Sequence, residues 1–303
     1  MKRLFQPFLA AALIAAAPHV YSAGCEGIVS GLDAIGTKPQ NTAPIEVGKE
    51  LDEIIEQGFI EIGVYESFPP FSYSEQGKLV GIDVDLAQHI AAELGVEARV
   101  RAIPAGENVD ADLRNYVWKG PLIGGKVVNV LLHMPYNKEL GCRNEQVVLS
   151  GQYFNEQLVI AHRKDRFDGD PPKPAWFRFE PVGVENDSIA DFYLAGFAGG
   201  QLLSNLKHYK TNSLAMEALK AGEISAVMGP RTELEPLMDD NIGIHRPDYP
   251  GLQVSEWTLG VAVRHTFRPL GYTVDDIIRN AVSDGKVEAI FAKYGASYTP
   301  PNW

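Results

Sequence analysis

Seven histidines and two cysteines are the residues of this 303-residue chain whose types could bind metal or carry covalent chemistry, and their spacing supports neither. The histidines, at 19, 89, 133, 162, 208, 245 and 265, include no i,i+4 pair and have no Cys-x-x-Cys partner, so a metal site is not expected. No Gly-x-Ser-x-Gly elbow, phosphate loop or dinucleotide fingerprint is present, and the Gly124-Gly125 pair alone is too short a signal for phosphate binding. The expectation is a protein with no catalytic residues and no cofactor. Cys25 and Cys142 make an even count, which in an oxidising compartment fits a disulfide worth roughly 4–5 kcal/mol by loop closure; two free thiols are the alternative. Two further groups carry side chains suited to recognition, Trp118-Lys119 and His133-Met134-Pro135-Tyr136. They could line a cleft or form a surface for another protein, since Trp, Tyr and Met favour interface centres. Equally, Trp118 could pack and Lys119 be solvated.

The chain start fixes the expected compartment. Lys2 and Arg3 precede an apolar run from Phe8 to Ala17, too short to span a bilayer, and Tyr21-Ser22-Ala23 offers a small-x-small cleavage pattern. Residues 1–23 therefore read as a signal peptide and the protein as periplasmic; Ser22 argues against lipidation at Cys25. Removing that segment takes away two of 27 basic residues and none of 39 acidic ones, so the formal charge of −12 becomes two units more negative. Such a field repels phosphate backbones, so nucleic acid is not an expected partner, and no later segment is long enough to cross a membrane.

Residues 24–47, rich in Gly, Pro, Thr and Asn, form an extended lead-in. Beyond them strand-like runs alternate with amphipathic helices. Strands are expected at 59–64, 98–103, 127–132, 158–161, 182–184, 224–228 and 259–263. Helices are expected at 82–94, 188–199, 213–221, 232–238, 274–282 and 286–293. Ile82, Leu86, Ile90 and Leu94 share one face of the first helix, and Gly95 can end it. The alternation implies an α/β fold, and this length favours two lobes over one core. Asp165–Pro174 reads as an exposed loop.

Four segments in order, IGVYESFPPFSY (62–73), GKLVGIDVDLAQHIAAELG (77–95), ALKAGEISAVMG (218–229) and DGKVEAIFAKYG (284–295), resemble the type II periplasmic solute-binding proteins of amino-acid ABC transporters, bacterial extracellular family 3. The resemblance implies two α/β lobes joined by two hinge strands. Its boundaries would be lobe 1 at 48–155, lobe 2 at 156–258, and a return to lobe 1 at 259–303. The ligand would sit between the lobes. Cleft candidates carried over from that pattern are Tyr65, Phe68, Phe71, Arg143, Asp187, Ser188 and Arg231, with His133 and Tyr136 from the recognition segment. Phe68 and Phe71 could equally be core, Asp187-Ser188 a helix cap, and Arg231 a solvated side chain. The family's zwitterion partners do not carry over cleanly. Pro230 stands where the second-lobe aspartate is expected, and Arg143 aligns with the carboxylate-binding arginine only across a gap of about four residues.

A narrower resemblance covers DADLRNYVWKGPLIGGKVVNVLLHMPYNKEL (110–140), similar to binding proteins found beside quinoprotein methanol and alcohol dehydrogenases. It implies a non-catalytic accessory role, the dehydrogenase or a related small ligand being the partner and Trp118 and Lys119 candidates for the contact surface. The alternative is an ABC permease partner with an amino acid or other small polar solute as cargo. A further alternative is an enzyme resembling cyclohexadienyl dehydratases.

Overall fold

The computed structural model describes residues 48–121, 126–167 and 169–302; the leader, the lead-in, Cys25 and Gly124-Gly125 lie outside the described residues. α1 (Leu51–Gln57) leads into β1 (Phe59–Tyr65), a hairpin of β2 (Tyr73–Glu75) and β3 (Lys78–Val80), and α2 (Ile82–Glu93). Next come β4 (Glu97–Ile103), α3 (Val109–Leu113) running on into one π-helical turn over Arg114–Trp118, β5 (Val130–Pro135), α4 (Lys138–Arg143) and the long β6 (Val147–Arg163). After β6 follow β7 (Val182–Glu185), α5 (Ile189–Gly196), β8 (Leu206–Tyr209), α6 (Asn212–Ala221), β9 (Ala226–Pro230), α7 (Arg231–Leu234) and β10 (Ile242–His245). β11 (Glu256–Arg264), α8 (Arg268–Ser283) and α9 (Lys286–Lys293) complete the chain.

Among the described residues nine strands form one sheet along the path β4-β1-β5-β11-β6-β9-β7-β8, with β10 on the second side of β6, while β2 and β3 pair only with each other. β6 makes this possible because its 17 residues serve two lobes in turn. Val147–Gln157 pairs antiparallel with β11, and Leu158–His162 pairs antiparallel with β9. β11 returns beside it, so two adjacent strands carry the chain between the lobes, with Trp257 opposite Glu156 and packed against the cores of both. In lobe 1, β1 is parallel to β4 and β5; in lobe 2, β7 is parallel to β8 and β9. Each lobe buries both sheet faces. In lobe 1 these are Ile60, Ile62, Val64, Leu86, Ile90 and Phe291 on one side and Leu113, Val117, Leu131 and Met134 on the other. In lobe 2 they are Leu158, Val182 and Met228 against Val159, Leu219 and Val227. Near-continuous apolar runs in these strands follow from that double coverage.

The 130–135 strand starts three residues later than its pattern suggests, because Val127 and Val128 lie buried in the irregular approach to it. The helix expected at 232–238 is a single α-turn followed by a 3-10 turn with Pro236 in its first turn. The loop expected to be exposed at Asp165–Pro174 is non-regular where described until Pro174 opens a 3-10 turn, but Phe167, Pro172 and Pro174 are buried, so part of it is pinned to lobe 2. Cys142 is disulfide-bonded.

The entry to α2 is tightly constrained. Gly81 has φ 135°, and a Cβ there would lie 2.2 Å from the Phe71 carbonyl oxygen. Ile82 and Asp83 donate their backbone N–H groups to Pro70 and Phe71, which locks the 68–72 loop over the helix start. Gly81→Ala is therefore expected to cost on the order of 2 kcal/mol or more, read as a lower urea midpoint with an unchanged slope.

Candidate functional site

In both lobes the parallel strands end on the same side, and the loops beyond their C-terminal ends carry the polar groups. That is where open α/β sheets bind ligands. Lobe 1 contributes the 65–72 loop, the end of β5 and the start of α2. Lobe 2 contributes the ends of β7 and β9 and the starts of α5, α6 and α7.

The lobe 1 wall is organised by Asp83, which has no solvent exposure. Its Oδ1 accepts the Tyr153 hydroxyl at 2.9 Å, and its Oδ2 lies 3.1 Å from His133 Nδ1. Three elements meet in this way: the first turn of α2, β6 and β5. His133 is held at φ 63°, a conformation that an L-residue other than Gly adopts at a cost. Its ring packs edge-on against Phe71 and Phe68, with centroids 4.3 and 4.8 Å away. The hydrogen bond to Asp83 assigns the imidazole proton to Nδ1, which leaves Nε2 for another partner. Phe71 is buried core while Phe68 is partly exposed, so the aromatic pair supplies both core and wall.

The lobe 2 wall is acidic. Glu156, in the crossing part of β6, is 2% exposed; its Oε1 accepts N–H groups from Gln157 at 2.8 Å and Thr232 at 3.4 Å, while its Oε2 has no hydrogen-bond partner. Burial raises its pKa, and hydrogen bonds from the Gln157 N–H and from the Thr232 side chain and N–H draw it partly back down. Asn212 Nδ2 donates to both Glu185 at 2.8 Å and Glu233 at 2.9 Å. Glu233 keeps some solvent access yet lies deep among protein atoms, as on the floor of a cleft; burial, with Glu185 and Glu156 nearby, pushes its carboxyl up to about 8. Glu185 is raised as well, also by burial. Arg231 Nε is buried without a hydrogen-bond partner, and the residue makes no ion pair among the described residues.

Of the other sequence-derived candidates, Tyr65 stands edge-on to His133 with ring centroids 6.3 Å apart, Asp187 and Ser188 lie at the start of α5, and Arg143 and Tyr136 are placed elsewhere. Tyr65 donates its hydroxyl to Asp112 at 2.8 Å, and Asp112 also accepts the Gly106 N–H, so the pair ties α3 to β1. Arg143 stands at the far end of α4, exposed and paired with Glu139 at 2.7 Å and Asp110 at 3.2 Å, and those partners account for its charge. Tyr136 lines a separate cavity of about 300 Å3 between β6, β11 and α8, together with Leu149, Arg264, Phe267 and Tyr272. Ser188 caps α5 by accepting the Asp191 N–H, and Asp187 is exposed at φ 58°. Trp118 is half-buried against the second face of lobe 1, and Lys119 is partly buried beside it. Asp83, Tyr153, Glu156, Asn212 and Glu233 are not apparent from motif reading. One available signal is Glu156 in the polar run Asn155-Glu156-Gln157 between apolar Tyr153-Phe154 and Leu158–Ala161.

Two parallel-sheet lobes, two crossing strands and a polar wall on each side define the type II periplasmic-binding-protein fold. Residues 60–115 match the bacterial extracellular solute-binding proteins, family 3. The L-cystine-binding protein TcyJ of Escherichia coli (strain K12) is 24% identical over 256 residues, covering 82% of this chain and 87% of that one. The arginine-binding periplasmic protein of Mannheimia haemolytica is 21% identical over 234 residues, covering 75% and 87%. Among solved structures, a mutant of ArgBP from T. maritima matches with a TM-score of 0.54 and 25% identity over 80% of this chain and 98% of that one. An ancestral cationic amino acid solute-binding protein matches with a TM-score of 0.64 at 21% identity, covering 81% and 99%, and shows the fold alone. The chain is thus similar to family 3 solute-binding proteins over residues 60–115 and has the fold of the amino-acid-binding proteins. The curated relatives are named as binding proteins, and no helix among the described residues is long and apolar enough to cross a membrane.

Each wall has its own expected behaviour in solution. Tyr153→Phe removes a donor from a buried carboxylate and is expected to cost about 1–3 kcal/mol by urea denaturation. Glu233, raised from 4.5 to about 8, binds more protons folded than unfolded across that window. Its contribution is therefore increasingly unfavourable to the native state as pH rises from 4.5 to 8. Melting temperature in the absence of ligand is expected to fall over that range, and Glu233→Gln to flatten the fall.

Proposed function

We propose that this protein binds a small polar solute of the amino-acid type between its lobes and presents it to an ABC permease. The observation that carries this reading is the pair of facing walls, His133 with Phe68 in lobe 1 and Glu156 with Thr232 in lobe 2. Both lie at the C-terminal edges of parallel sheets, on either side of a two-strand crossing that can act as a hinge. Orphaned polar atoms on the lobe 2 side support it, because buried groups without partners are costly unless something pairs with them. The names of the relatives, for L-cystine and for arginine, point to the same class of cargo.

The dehydrogenase-accessory reading is the weaker one. Its signature residues have local roles that would keep them without any partner: Asp112 anchors α3 to β1, and Trp118 packs on the lobe 1 core. The comparisons lend a dehydrogenase partner no support.

A thermal-shift screen of the mature protein against amino acids, amines and organic acids tests the proposal. A solute at a hundred times its Kd adds about 2.7 kcal/mol, a shift of several degrees. A shift with one or a few solutes, accompanied by a smaller radius of gyration in solution scattering, is the expected result. No shift with any solute, together with co-elution with a purified quinoprotein dehydrogenase, would overturn it.

A further inference from the structure

The cavity of about 300 Å3 beside α8 belongs to neither wall of the cleft, since Phe68, His133, Glu156 and Thr232 do not line it. An irregularity in β6 shapes it. Between the pairs Val261–Ser150 and Leu259–Phe154, β6 carries Gly151, Gln152 and Tyr153 where β11 carries only Gly260. The bulge turns the Gly151 N–H out of the ladder to Asp275 Oδ1 on α8 at 2.7 Å and sets Ser150 and Gln152 in the cavity lining. Arg268, Tyr272, Asp275 and Arg279 recur every three or four residues along α8, so they share the face that closes the cavity from above the strands.

The charge of the lining is opposite to that of the chain. Three arginines, at 264, 268 and 279, stand against the single acid Asp275 in a protein of formal charge −12. Asp275 is committed already, to the Gly151 N–H and to Arg279 at 3.0 Å. Arg268 is exposed and makes no ion pair among the described residues. Arg264 holds its guanidinium 5.6 Å from the Phe267 ring centroid. On the strand side the Ser150 hydroxyl oxygen is buried without a hydrogen-bond partner, a costly state that a bound polar group relieves.

The remainder of the lining offers ring surface and room. Tyr136, Phe267 and Tyr272 border the space, with Tyr136 39% and Tyr272 65% exposed. Gly271 is buried in α8, yet a Cβ there would meet no atom within 4 Å. Neither a close contact nor a left-handed backbone calls for glycine at this position, and glycine weakens a helix relative to alanine. What its missing side chain leaves is volume. Apolar and aromatic walls with a few convergent polar groups are the usual make-up of small-molecule sites, whose volumes begin at about 300 Å3.

We infer that this cavity is a second ligand site, separate from the cleft, which takes a small aromatic carboxylate. The ring lies among Tyr136, Phe267 and Tyr272, and the carboxylate pairs with the guanidinium groups of Arg268 and Arg264, for which a planar anion is the matched partner. The Ser150 hydroxyl supplies a further donor.

Isothermal titration of the mature protein with indoleacetate and with tryptophol, which carries the same ring on an uncharged chain, tests the inference. The wild type is expected to bind the acid about tenfold or more tighter than the alcohol. Arg268→Gln is expected to lose about tenfold in affinity for the acid, the change for one charge-assisted contact. Gly271→Leu fills the space and is expected to abolish binding, whereas Gly271→Ala is expected to melt no lower than the wild type, because its Cβ meets nothing. Arg268 is exposed, so its variant still reports if Gly271→Leu fails to fold. No binding of indoleacetate by the wild type would overturn the inference, as would equal affinity for the acid and the alcohol. Acid affinity within about twofold of the wild type in folded Arg268→Gln or folded Gly271→Leu would overturn it too, placing the probe elsewhere.

Discussion

A carboxylate removed from water must be paired, and Asp83 is the one around which this cleft is assembled. It sits in the first turn of α2, where the helix N-terminus favours negative charge, and takes Tyr153 from β6 and His133 from β5 as partners. Those contacts fix the spacing of a helix and two strands at the cleft edge. They also hold His133 in a left-handed conformation, with Phe71 and Phe68 closing round the ring. Without Asp83 the imidazole would have no reason to stand where it does, and the lobe 1 wall would lose the fixed polar group that it turns toward the second lobe.

The two walls use opposite strategies. Lobe 1 satisfies its buried acid internally and presents an aromatic and imidazole face. Lobe 2 gathers three acids, Glu156, Glu185 and Glu233, around the amide of Asn212 and the N–H of Thr232. Trp257, opposite Glu156, packs on both cores and links them across an otherwise polar crossing.

Much of the fold was legible in the sequence because the parallel strands are covered on both faces and read as apolar runs, while α2, α6, α8 and α9 keep a helical period. The α2 and α9 boundaries agree within a residue, whereas α8 begins six residues before its expected start, at Arg268-Pro269, because Pro in the first turn masks the onset. The hairpin of β2 and β3 and the short strands β8 and β10 were missed; three- and four-residue strands leave too few alternations to count. The site was less legible. His133 and Phe68 stand out in the sequence through their segments, but His133's partner Asp83 is 50 residues away, and no spacing rule joins Asp83 to Tyr153 or Glu185 to Glu233. Arg143 and Tyr65 were natural candidates by alignment, yet each is absorbed by a nearby acid, Asp110 and Asp112 respectively, which periodicity does not reveal.

The central claim is that a small solute occupies the space between these walls. A crystal structure of the protein as purified from its native host, without refolding, examines it most directly. Density for a small molecule between His133 and Phe68 on one side and Glu156 and Thr232 on the other is the expected result. An empty cleft, with a molecule bound instead in the cavity beside α8 or on an outer face, would contradict it.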